Sequence, residues 1–197
     1  MKRMLFLSIV QLFEKPIRQD MKKLLVLMLI VAVPLALPAQ KYLTKNGKAS
    51  FYSKTPLEDI EAHNNQVNVA IDFSDGSMAF RVLIKSFIFE KALMQQHFNE
   101  NYMESDKHPT SVFNGKITDH TKIDLTKNGT YPVEVSGNLT IKGVTKKVTT
   151  KGTIEVKGGV VIGKSDFSIK LSDYKVKRPR AVAEEITISV SFEATKL

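Results

Sequence analysis

Histidine and cysteine carry much of the side-chain chemistry available near neutral pH. This chain of 197 residues has four of the first and none of the second. Without cysteine there is no disulfide framework, no thiolate metal site, no thiol nucleophile and no lipid-modified cysteine. His63, His97, His108 and His120 stand far apart. No two make a His-x-x-x-His pair, and none lies in the acid-rich spacing that a metal site needs. No metal and no cofactor are therefore expected. There is no Gly-x-Ser-x-Gly elbow, no P-loop and no dinucleotide fingerprint. The adjacent acids Glu58-Asp59 and Glu184-Glu185 read as solvated charge runs. An enzyme acting on envelope substrates would need His97, Glu100 and Asp106 to meet in an open cleft. The sequence predicts a protein that is not an enzyme.

Binding chemistry is better represented. Lys175-Val176-Lys177-Arg178-Pro179-Arg180 is the densest positive run, and Tyr174 and Pro179 break it into a loop ahead of the final strand. Lys177, Arg178 and Arg180, together with His97, are the candidate contacts for an anionic headgroup. The plainer reading of the run is a solvated loop. Residues 1–39 hold six of the 29 basic and two of the 20 acidic residues, which leaves 23 against 18, a net +5, from Gln40 onward. That excess suits peripheral contact with an anionic membrane surface. Single-stranded nucleic acid would need stacking aromatics beside the charge. Here the aromatics alternate toward an interior, so no nucleic-acid partner is expected.

The elements that position these groups are strands. Val67, Val69, Ile71 and Phe73 alternate with polar neighbours, Asp75-Gly76 turns the chain, and Met78, Phe80, Val82 and Ile84 resume the period of two. Tyr131, Val133, Val135, Leu139 and Ile141 share one face, with Gly137 in the same register. Lys142-Gly143 and Gly158-Gly159 make tight turns. Phe167, Ile169 and Leu171 mark a further strand, and Ile186, Ile188, Val190 and Phe192 mark the last. Pro132 and the strand glycines predict edges, bends or bulges. One stretch differs: Phe89, Leu93, Met94, Phe98, Tyr102 and Met103 recur at helical spacing between Glu90 and Glu104, so a short amphipathic helix is expected there. About eight hairpin-connected strands predict one all-β antiparallel barrel with one short helix inserted between strands, spanning 40–197.

The eleven phenylalanines and the absence of tryptophan predict an oily interior without polar handles. Phe51, Phe80, Phe113, Phe167 and Phe192 are the inward positions of their strands. The helical segment Lys91 to Met103 could cover an opening and offer Leu93, Met94 and Phe98 to a ligand's tail, and Phe87, Phe89 and Tyr102 are further lining candidates. An eight-stranded barrel is just wide enough to be filled by its own side chains or to hold one slender ligand.

Ahead of the barrel, Met21-Lys22-Lys23 precedes an apolar run from Leu24 to Leu37, and Pro38-Ala39-Gln40 offers a cleavage site after Ala39. This order predicts a secretory signal peptide. The run has 14 residues, short of the ~20 that span a bilayer. Residues 1–20 read as an upstream extension or a long n-region, which leaves Met1 and Met21 as alternative starts. A periplasmic or secreted location is expected.

Three motifs carry a resemblance. Phe98-Asn99-Glu100-Asn101-Tyr102-Met103-Glu104-Ser105-Asp106-Lys107-His108-Pro109, continuing through Thr110 to Ile117, resembles the central signature of YceI-like domains, most closely the variant common in Bacteroidetes-type bacteria. Gly137-Asn138-Leu139-Thr140-Ile141-Lys142-Gly143-Val144-Thr145-Lys146 and Phe167 to Tyr174 with Lys177-Arg178-Pro179 resemble the family's second and third motifs. Together they span roughly Gly47 to Leu197. The resemblance implies an eight-stranded lipocalin-like barrel, an exported protein, and a polyisoprenoid or related apolar lipid held inside. It departs at the N-terminal end, where Lys41 to Ser53 lacks the tryptophan and the His-Ser pair of many members. A structural or stress-related envelope protein with no dedicated ligand is the alternative, and a homodimer is compatible with the sequence.

Overall fold

The computed structural model describes residues 40–55, 59–178 and 182–197. The expected signal peptide and cleavage site, and the roles of Glu58, Pro179 and Arg180, lie outside the described residues.

Among the described residues nine strands follow in chain order: β1 Lys41–Ser53, β2 Ile60–Asp72, β3 Ser77–Leu83, β4 Ile88–Phe89, β5 Thr110–Ile117, β6 Gly129–Ile141, β7 Val144–Lys157, β8 Val160–Lys170 and β9 Glu185–Lys196. Neighbours pair antiparallel in the order β1-β9-β8-β7-β6-β5-β3-β2, and β2 pairs back onto β1. Eight strands thus close into a barrel, in which each has a neighbour on both sides. β4 is a two-residue stub on β2, with Phe89 opposite Ala62.

Local sequence explains the corners. Lys142 and Gly143 take φ 48° and 75°, and Gly158 and Gly159 take 59° and 81°. Two successive left-handed residues twist a hairpin as its strands require, and glycine adopts that conformation at little cost. Pro132 pairs with Thr153 of β7, while the β5 ladder ends at Ile117↔Val135. The carbonyl of Glu134 faces the β5 side, accepting from Thr118 N–H at 3.0 Å. Pro132, of the same parity, aims its donorless nitrogen at that side, beyond the ladder's end, where nothing is lost.

The inserted segment is shorter as a helix than its spacing suggests. Phe89, expected in helical register, is a strand residue. Phe87 and Phe89 are buried with exposed Ile88 between them, a period of two that wins locally. Helix α1 covers Ala92–His97 and passes into a π-helical turn, Phe98–Tyr102. Glu104 ends it with φ 48°.

Ladder lengths within the barrel differ, from five register pairs between β2 and β3 to thirteen between β6 and β7. The β7–β8 ladder makes six, from Lys157↔Val160 to Gly152↔Ser165, and then stops. Beyond that fork the two strands diverge.

Candidate functional site

The interior has two unlike halves. Around the β2–β3 and β7–β8 turns it is solid. Ile71, Ile117, Val156, Val161 and Ala194 are at most 2% exposed, and Tyr42 meets Phe73 edge-on at 5.5 Å between ring centres. Toward the other end the same inward faces surround an apolar cavity of about 500 Å³. That volume falls within the ~300–1,000 Å³ of small-molecule sites.

Glycines keep it open. Gly115 and Gly137 pair across β5 and β6, and Phe113 lies over both; a Cβ on either would come within about 2.5–2.6 Å of the ring's Cζ. Gly163 sits opposite Phe192, whose ring occupies the space a Cβ would need. The missing side chains let two large rings lie against the wall. Phe80 touches both, at 6.1 Å from Phe113 and 5.6 Å from Phe192 between centroids. The three rings form an aromatic collar instead of a plug.

Residues 84–109 fold across the mouth as a flap. Phe87, Phe89 and Phe98 converge on Phe51 of β1 with centroids 5.5–5.8 Å away, and Phe89 and Phe98 lie 5.0 Å apart. Asn64, fully buried, donates from Nδ2 to the Leu83 carbonyl at 2.8 Å and accepts from Gln66 N–H. It fixes where the flap leaves β3. On the far side Glu104 accepts from Lys142 Nζ at 2.6 Å and Lys107 Nζ at 2.9 Å. These hydrogen bonds and charges hold its carboxyl down to about 2.

Of the expected lining residues, Phe51, Phe80, Phe87, Phe89, Met94, Phe98, Tyr102, Phe113, Phe167 and Phe192 face the cavity. Leu93 does not; it is 62% exposed on the outer surface of α1. Only one face of this short helix meets the barrel, and Met94 and Phe98, one turn apart, take it. His97, Lys177 and Arg178 stand at the rim. Arg178 is already engaged, donating to Glu184 Oε2 and to the Val182 carbonyl, each at 2.7 Å. Among the described residues the Lys177 and His97 side chains make no hydrogen bond or ion pair, so the headgroup candidates are not equivalent. Tyr174 and Val176 also line the cavity and were missed. Their apolar side chains within an otherwise basic loop were the available signal. The three residues an enzyme would need are not assembled: His97 lines the cavity, Glu100 accepts from Gln96, and Asp106 accepts from Lys85. Among the described residues no three His, Asp or Glu side chains form a metal-sized group.

A closed antiparallel barrel with a hollow apolar half is a lipocalin-like binding scaffold. Residues 43–194 match the YceI-like domain, and the chain belongs to that family. A UPF0312 protein of Pseudomonas putida (strain W619) is 30% identical over 107 residues, 49% of this chain and 56% of that protein, so the chain matches about half the length of this curated relative. Among solved structures, a polyisoprenoid-binding domain from Saccharophagus degradans superposes with a TM-score of 0.70 at 11% identity, over 81% of this chain and 99% of its own. BcnA of Burkholderia cenocepacia gives 0.62 at 21% identity over 76% and 96%. The YceI protein of Campylobacter jejuni gives 0.57 at 17% identity over 73% and 89%. At these identities the three share the fold.

Proposed function

We propose that this protein is an exported carrier that holds one polyisoprenoid or similar amphiphile, apolar tail inward, and performs no chemistry on it. The observation that carries this reading is the apolar cavity of about 500 Å³ held open by rings laid over Gly115, Gly137 and Gly163. Each methylene taken from water contributes ~0.8 kcal/mol, so a tail that buries about ten gains ~8 kcal/mol before the cost of ordering it. Micromolar affinity corresponds to ~8.2 kcal/mol net, so a tail that buries more than about ten methylenes reaches it without a polar anchor. The fold shared with a polyisoprenoid-binding domain supports the same ligand class. Export is supported by the charged-then-apolar order of residues 22–37. Lys177 and His97 at the rim are placed for a polar or anionic headgroup.

The test is mass spectrometry of organic extracts from gently purified protein. One long-chain prenyl or acyl species per chain is expected. Extracts free of lipid, with no saturable binding of added prenols, would instead favour an envelope protein without a dedicated ligand.

A further inference from the structure

The flap is tied down on every side, which raises the question of how a chain reaches the cavity. Phe51 clasps three of its rings, Asn64 holds its beginning and Lys142 holds its end. A wall without the flap over it is open elsewhere. After Gly152↔Ser165 the β7–β8 ladder stops, so β7 residues 144–151 and β8 residues 166–170 have no ladder partner on their facing sides.

The fork is built rather than frayed. A Cβ on Gly152 would sit 2.6 Å from the Lys164 carbonyl, so glycine lets the strands approach there before they part. Hydroxyls then replace the ladder: Ser165 Oγ donates to the Lys151 carbonyl at 2.9 Å, and Thr150 Oγ1 lies 3.2 Å from Ser165 Oγ. Above the fork, Val148 and Phe167 line the cavity yet stay partly exposed. What spans the gap is a single 3₁₀ turn, Leu171–Tyr174, packed against both strands, with Tyr174 buried. A turn fastened mainly at Glu184 opens at less cost than a strand ladder, because few backbone hydrogen bonds must break.

The flanks are cationic. Lys146, Lys147, Lys151, Lys170, Lys175 and Lys177 are exposed beside the gap, against Asp166, Asp173 and Glu185, with Glu184 taken by Arg178, and among the described residues none of these lysines is ion-paired. Juxtamembrane lysines contribute about 1 kcal/mol each at an anionic bilayer.

We infer that the unlaced seam between β7 and β8 is the lateral portal through which a hydrocarbon chain passes between an anionic bilayer and the cavity. This rests on the carrier reading above and adds a route to it. The turn swings out, the tail slides between Val148 and Phe167, and the headgroup stays with the lysines outside.

The absence of native cysteine gives a clean test. V148C places a thiol on the cavity side of β7; T149C places one on the opposite face, where Thr149 pairs with Ser136. Each full-length protein is labelled with a maleimide-polyethylene glycol. Each is then mixed with phosphatidylglycerol vesicles carrying pyrene-labelled geranylgeraniol. Label on V148C is expected to slow uptake about tenfold, and label on T149C to leave it unchanged. A K146E/K147E/K151E variant, unlabelled, is expected to slow uptake from these vesicles and not from phosphatidylcholine ones. Equal uptake by labelled and unlabelled V148C, with uptake intact, overturns the portal alone. Equal uptake by the charge-reversed and native proteins overturns the anionic bilayer as the source. Unlabelled native protein that takes up no probe overturns the carrier reading and the portal with it.

Discussion

The two halves of this barrel are made from the same strands and the same alternation, yet one is solid and the other hollow. In the solid half the inward side chains are mainly aliphatic and nearly wholly buried, as Ile71, Ile117, Val156 and Val161 show, with the Tyr42–Phe73 pair beside them. In the hollow half large aromatic rings join the aliphatic lining, and glycines lie behind two of them, Phe113 and Phe192. A β-branched residue fills the space in front of its own Cα. A phenylalanine over a cross-strand glycine lies flat and leaves the axis free. The position of three glycines thus divides a stability core from a binding chamber.

The difference can be broken most strongly from the solid side. Ile117→Ala should cost about 2–5 kcal/mol in denaturant unfolding, since that site has no room to relax. Phe80→Ala deletes a larger group but should cost less than Ile117→Ala, because one side of its ring already faces empty space. A greater loss for Phe80 would mean that the chamber is packed.

The next effect is on binding. Gly163→Ala should push the Phe192 ring into the chamber and weaken a fluorescent prenyl probe about tenfold, or ~1.4 kcal/mol. Gly159→Ala, at a turn with nothing within 4 Å of its added Cβ, is the control. It strains a left-handed residue, so it should lower stability without changing probe affinity.

A smaller effect separates the flap from both halves. The Glu104 carboxyl, ordinarily near 4.5, is held at about 2 by Lys142 and Lys107. A depressed folded value means that its contribution is fully present above about pH 4.5 and is lost as pH falls toward 2. Glu184, held at about 2 by Ser172 and Arg178, fastens the 171–174 turn and titrates in the same window. Hydrogen exchange over residues 84–109 should quicken as pH drops through that window, after correction for intrinsic rates. In Glu104→Gln it should be quick already at pH 7, while the solid half stays protected. Equal exchange in the variant and the native flap would show that the phenylalanine cluster alone holds it.

Much of this was legible in the sequence because closure and alternation are local signals. The hairpins at Asp75-Gly76, Lys142-Gly143 and Gly158-Gly159 announce themselves by residue type, and the inward parity of Phe51, Phe80, Phe113, Phe167 and Phe192 follows from a period of two. Hollowness was not legible. The same phenylalanines would serve a solid barrel, and only cross-strand register reveals that Phe113 lies over Gly115 and Gly137 while Phe192 faces Gly163. Leu93 was misplaced because helical spacing gives a stripe without saying which side of a one-and-a-half-turn helix meets the barrel. The seam was hidden for a similar reason: the alternation at Val148 and at Phe167 to Leu171 reads as ordinary strand, and a glycine such as Gly152 marks a bend or bulge without saying that pairing stops there.

The most direct test of the central claim is a crystal structure of the gently purified protein. The account predicts continuous, elongated density along the barrel axis, bounded by Phe80, Phe113 and Phe192, and ending in solvent beside Lys177. Those three rings turned inward onto one another, with no space between them for a hydrocarbon chain, would contradict it.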